Sequence, residues 1–130
     1  MPTITKFEDL KVWQVSRTTV AEIYRATNTA PFTKDFELRD QIRRASVSIM
    51  ANIAEGFARS SRKEFIQFLG YSKGSVAGVK SHLYLAADLN YLSKSDFERL
   101  MKQMTDVSKQ LTGFIKYLRN DSRHPSHSTN

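Results

Sequence analysis

Two groups of side chains in this sequence have types and spacings that could do chemistry: a polar line on an otherwise apolar stretch, and a scatter of cations. Gln41, Ser48, Asn52 and Glu55 are separated by seven, four and three residues, so on a helix they share one face, with Arg44 on the same side. Such a line can hydrogen-bond inside a bundle, form a subunit contact, or face solvent. Ser and Asn are indifferent helix formers, which argues against the last. Among the cations, Arg43 and Arg44 are adjacent, Arg59, Arg62 and Lys63 surround a predicted turn, and Lys11 lies near the start. Lys109, Lys116, Arg119 and Arg123 follow the last helical pattern outward, and cations near a helix C-terminus also complement its dipole. With a formal charge of +7, the chain should attract anionic partners: nucleic acid first, acidic proteins or membrane surfaces second. Such attraction is sequence-independent, and a basic excess can also serve solubility alone.

Signatures of catalysis and of metal binding are missing. There is no cysteine, which removes disulfides and thiolate ligands and suits a reducing compartment. The segment GYSKGS, residues 70–75, lacks the spacing of a phosphate-binding loop. His124 and His127 lie in a polar terminal stretch without a third ligand, His82 stands alone, and the paired Glu-x-x-His ligands of di-iron bundles do not occur. No catalytic residue, metal or cofactor is therefore expected, and the chain reads as non-enzymatic. The first residues, MPTITKFEDLKVW, do not have the pattern of a signal peptide, and no apolar run approaches the ~20 residues needed to cross a bilayer. A cytoplasmic protein without a membrane contact is expected.

The elements that must position these residues are legible from periodicity. All three prolines fall outside the periodic segments, leaving four long helical patterns. The first spans about Glu8 to Asn28, with Leu10, Trp13, Arg17, Val20, Ala21 and Tyr24 at helical spacing. The second runs from Lys34 to Phe57 on an inward stripe of Leu38, Ile42, Ala45, Ile49 and Ile53, with Gly56 as a candidate cap. Ser61 and Glu64 have capping-box spacing and open the third, whose stripe runs from Phe65 to Leu89. Ser95 and Glu98 repeat that spacing before the fourth, with its stripe of Phe97, Leu100, Met101, Met104, Val107, Leu111, Phe114, Ile115 and Leu118. Short connections make neighbours antiparallel, so the expected fold is all-α: one up-down-up-down four-helix bundle over residues 7–118, after an arm at 1–6 and before a polar tail at 119–130.

Two further patterns bear on assembly. Val47, Met50, Ala54 and Phe57 add a second apolar line to the second helix: either a contact with another subunit or a wide inward stripe. Gly70, Gly74 and Gly78 recur every four residues on the third helix, at a cost of about 1 kcal/mol each relative to alanine. They would allow close packing within or between bundles; Lys73, Lys80 and His82 exclude a membrane setting.

The strings FEDLKVWQ, LRDQIRRASVSIMANIAEGF and EFIQFLGYSKGSVAGVKSHLYLAADLNYLS resemble the 23S rRNA intervening-sequence protein family, also called four helix bundle protein or S23 ribosomal protein. The resemblance covers Phe7 to Leu118. It implies a bundle assembled as a ring-like homopentamer, and kinship with the accessory protein of diversity-generating retroelements, a basic bundle that partners a reverse transcriptase and binds nucleic acid. By the motif, Gln41, Arg43, Arg44, Ser48, Asn52, Glu55 and Gly56 occupy signature positions, and Gly74 and Ser75 match a Gly-Ser pair. Where the family usually has a glutamate three residues after that serine, this chain has Gly78.

Two functions follow as expectations. In the first, a nucleic-acid-binding homo-oligomer presents Lys11, Arg43, Arg44, Arg59, Arg62 and Lys63 as a repeated basic surface, and avidity adds weak phosphate contacts together. Gln41, Val47, Ser48, Met50, Asn52, Glu55, Phe57, Gly70, Gly74 and Gly78 then serve structure or the interface. In the second, the oligomer is a scaffold for another protein, a reverse transcriptase among the options, and its charge is incidental.

Overall fold

The computed structural model describes residues 3–120. After a 3-10 turn, Phe7–Asp9, four helices follow, with a second 3-10 turn, Phe32–Lys34, between the first two: α1 (Lys11–Ala26), α2 (Phe36–Phe57), α3 (Arg62–Asp88) and α4 (Lys94–Asn120). Successive helices pack side by side, and α1 closes the ring against α4. Their directions alternate: Ser48 of α2 lies beside Ser75 of α3, Tyr84 beside Phe97 of α4, and Glu22 of α1 beside Arg99 of α4. This is the all-α antiparallel bundle that the periodicity predicts.

The core is one continuous cluster. Ile23, Ile42, Ile53, Leu69, Val79, Leu100, Met104 and Leu111 are inaccessible to solvent, and the predicted stripe of α4 is inward along its whole length. The stripe of α1 differs from the prediction. Val12, Ser16, Thr19, Val20 and Ile23 are its buried residues, whereas Arg17 and Tyr24 are exposed and Trp13 is half-buried. Hydroxyls made the difference. Ser16 donates to the Val12 carbonyl at 2.7 Å and Thr19 to that of Val15 at 2.9 Å, so each satisfies itself one turn back and can occupy the core face. Ser46 replaces Ala45 at the centre of the α2 stripe in the same way, donating to the Arg43 carbonyl at 2.9 Å.

Helix ends also depart from the predicted boundaries. Leu10 has extended backbone and separates the first turn from α1, so the helix does not begin at Glu8. Asp35, not Lys34, starts α2: its carboxylate accepts from the Leu38 amide at 3.1 Å. The same carboxylate accepts from the Tyr91 hydroxyl at 2.9 Å, tying the start of α2 to the α3–α4 connection. Ser61 caps α3 as predicted, accepting from the Glu64 amide at 3.1 Å. For α4 the capping serine is Ser93, which accepts from Asp96 at 3.0 Å, two residues before the predicted Ser95. Helix α3 ends in a Schellman arrangement, with Tyr91 N–H on the Ala86 carbonyl at 2.8 Å and Asn90 at φ 61°. That turn leaves Leu89 exposed rather than inward. Helix α4 continues two residues beyond the predicted Leu118, which puts Arg119 on its last turn. The rest of the predicted tail lies outside the described residues.

Gly56 is not a cap. It lies inside α2, fully buried, where a Cβ would stand 2.6 Å from the Cβ of Phe68 and 3.0 Å from Cδ1 of Phe65. Glycine here lets α2 and α3 cross closely. Gly70, Gly74 and Gly78 are the opposite case, with nothing within 4 Å of an added Cβ. Close packing within the bundle therefore does not explain them.

Candidate functional site

The seam between α2 and α3 gathers part of the predicted polar line. Ser48 and Ser75 share a hydrogen bond of 2.9 Å, and Asn52 Nδ2 donates to Ser48 Oγ at 3.0 Å and to the Ser48 carbonyl at 2.9 Å. One helical turn inward, Ser72 donates to the Ile49 carbonyl at 2.7 Å in full burial. These bonds run across and along the helices, so Ser48, Asn52 and Ser75 position α2 against α3. Gln41, Arg44 and Glu55 are exposed on the same side of α2. Of the second apolar line, Val47 is exposed, Met50 and Ala54 are half-buried, and Phe57 packs edge-on against Phe65 at 5.8 Å within the chain. Phe57 thus belongs at least partly to the bundle's own core edge.

The six predicted cations do not form one patch. Arg43 lies over the ring of Tyr24 at 4.6 Å, donates to Thr27 Oγ1 at 2.8 Å and reaches the Tyr24 carbonyl at 3.4 Å. It fastens α2 to α1. Its neighbour Arg44 is exposed, but α2 runs about 20 Å from there to its end at Phe57. Lys11, Arg59, Arg62 and Lys63 do lie at that far end, where Arg59 rests on the ring of Phe68 at 4.6 Å. A guanidinium stacked by its face keeps edge N–H groups for an anion.

Antiparallel packing adds cations to that end that are distant in sequence. Arg119 borders one groove with Arg62, Lys63, Ile66 and Leu118, and a second with Gly70, Lys73, Thr112, Ile115 and Lys116. The half of the bundle built from residues 3–18, 48–75 and 107–120 carries ten cations against four carboxylates; the half built from 19–47 and 76–106 carries nine against eight. In the second half, Glu22, Asp40, Asp96 and Asp106 form ion pairs with Arg25, Arg39, Arg99 and Lys102; in the first half, Arg62 also has a partner. Among the described residues no group of three His, Asp or Glu side chains is placed to hold a metal ion, and no helix is long and apolar enough to cross a membrane.

The family model of the 23S rRNA-intervening sequence protein matches residues 8–113. The chain belongs to that family. Among solved structures it is similar to a protein of unknown function of the S23 ribosomal protein family from Bacteroides thetaiotaomicron, with 27% identity and a TM-score of 0.74, over 81% of this chain and 98% of that one. No curated protein matches it.

For this 23S rRNA-intervening sequence protein, sequence reasoning missed Lys73, Lys116 and Arg119 as partners of Arg62 and Lys63. The usable signal was negative: residues 65–87 and 107–120 contain no Asp or Glu at all. At Gly78, where the resemblance leads one to expect glutamate, the space beyond the backbone is open and half-buried.

Proposed function

We propose that this family member is a non-enzymatic, basic homo-oligomer that binds nucleic acid through its phosphates. The observation that carries the reading is the gathering of charge: ten cations against four carboxylates in one half of the bundle, nearly balanced charge in the other. A concentrated positive field draws a polyanion more strongly than the same charge spread evenly. The family's name makes RNA the first probe. A homopentamer, implied by the resemblance, would repeat the charged end five times and let individually weak contacts add. The open α2–α3 face supports assembly: Val47, Gly74 and Gly78 leave it flat, and Tyr71, Leu85 and Leu89 expose apolar surface along α3. That same apolar surface favours the second reading, a scaffold that holds another protein.

Light scattering and salt-dependent binding test this together. The expected mass is several times 14.9 kDa, and log affinity for RNA should fall linearly with log salt, by about 0.7 per neutralised phosphate on a single strand. A monomer mass rejects the assembly. Folded protein that binds no RNA or DNA at about 50 mM salt rejects the nucleic-acid reading and leaves the scaffold.

A further inference from the structure

We infer that the groove between the first half of α3 and the last half of α4 is the track for the sugar–phosphate backbone of a nucleic-acid strand, held without recognition of bases. This assignment rests on the nucleic-acid reading above and adds the surface. The groove has a volume of about 520 Å³ between Gly70, Lys73, Thr112, Ile115, Lys116 and Arg119. It continues past Arg119 into a second stretch of about 390 Å³ that ends at Arg62 and Lys63.

Four observations fit a phosphate chain. Cations stand on both walls, Lys73 on α3 and Lys116 and Arg119 on α4, with Arg119 shared by the two stretches. Residues 65–87 of α3 and 107–120 of α4 contain no carboxylate; Glu64, just before the first stretch, lies within hydrogen-bonding distance (3.4 Å) of its capping serine, Ser61, and Asp121, two residues after Arg119, lies outside the described residues. Gly70 leaves its side of the groove open, since nothing lies within 4 Å of where its Cβ would be. Neither stretch is lined by an aromatic ring, so phosphates find partners there and bases find no stacking platform. From Lys63 to Lys73, α3 rises about 15 Å, the length over which one strand of a duplex presents roughly four phosphates. The groove lies on the α4 side of α3, away from the Ser48–Ser75 seam on its α2 side, so strand and subunit contacts need not compete.

Gly70→Glu tests this without removing any existing contact. It places a carboxylate in the groove at a position with free space and replaces a poor helix former. Lys94→Glu, exposed at the start of α4 in the other half, is the control and changes the net charge more. The probe is a short mixed-sequence single-stranded RNA, titrated at several salt concentrations, with oligomer mass and melting temperature measured on each protein. Gly70→Glu should weaken binding at least about tenfold near 0.1 M salt, while Lys94→Glu stays close to wild type. The triple change Lys73→Ala, Lys116→Ala and Arg119→Ala should flatten the salt slope by about 2 and weaken binding about a hundredfold at 0.1 M salt. If the wild type binds steeply with salt but Gly70→Glu has no effect, or both glutamates weaken it alike, the groove is overturned and the nucleic-acid reading survives. A changed oligomer mass in Gly70→Glu assigns the groove to assembly and also overturns it. No wild-type binding at about 50 mM salt overturns both.

Discussion

Alanine at Gly56 would place a Cβ 2.6 Å from the Cβ of Phe68, an atom that cannot swing away because it is fixed to the α3 backbone. Relief requires α2 and α3 to move apart by several tenths of an ångström or more, along a seam also held by the Ser72 and Ser48 hydrogen bonds. Helix propensity favours the alanine by about 1 kcal/mol, whereas overpacking a well-fitted core costs about 1–3 kcal/mol. Because the clash is with a backbone-anchored atom, the upper part of that range applies, and the net loss is about 1–2 kcal/mol. At Gly70 the same substitution meets nothing within 4 Å, so the propensity gain of up to about 1 kcal/mol stands alone. For a domain of this size the two variants should melt on opposite sides of the wild type, each displaced by several degrees at roughly 3–5 °C per kcal/mol. Thermal denaturation followed by circular dichroism, at equal protein concentration and with mass checked by light scattering, reads both. A Gly56→Ala protein as stable as wild type would refute the close helix crossing. A Gly70→Ala protein destabilised at unchanged mass would refute the open groove.

Arg43→Ala should lower stability by about 1–2 kcal/mol, from the lost Thr27 hydrogen bond and Tyr24 stacking, and leave the salt slope of RNA binding unchanged. A flattened slope at full stability would return Arg43 to the phosphate site. The Tyr91 hydroxyl is held above its ordinary pKa of 10.0, first by its hydrogen bond to the Asp35 carboxylate. A raised folded-state pKa contributes stability that is full below pH 10 and lost as pH climbs through the raised value, so Tyr91→Phe should remove that alkaline decline in a denaturation series. Asp35→Ala should cost about 1 kcal/mol at neutral pH through the lost α2 cap, measured by urea titration; a neutral result would contradict the capping role. Asn90→Gly should be tolerated at φ 61°, whereas Asn90→Val should cost about 1–2 kcal/mol in the same titration.

Hydrophobic period, proline placement and charge were enough to establish four helices, their antiparallel order and a net charge of +7, because each is a local or additive property of the chain. The stripe of α4 could be read residue by residue because nearly every inward position is apolar. The stripe of α1 could not, since Ser16 and Thr19 look polar in sequence and become core residues only by bonding to their own helix carbonyls. Gly56 and Gly70 are the same letter in helical stretches; only the distance to Phe68 distinguishes a necessary close contact from an open surface. Arg43 and Arg44 are neighbours in sequence and separate in role, because a helix turns successive side chains by 100° and Tyr24 of α1 meets one of them. Lys73, Lys116 and Arg119 are dispersed along the sequence, and antiparallel packing of α3 on α4 is what brings them to one groove. Net charge is a sum over the chain; where that charge concentrates is a property of the fold.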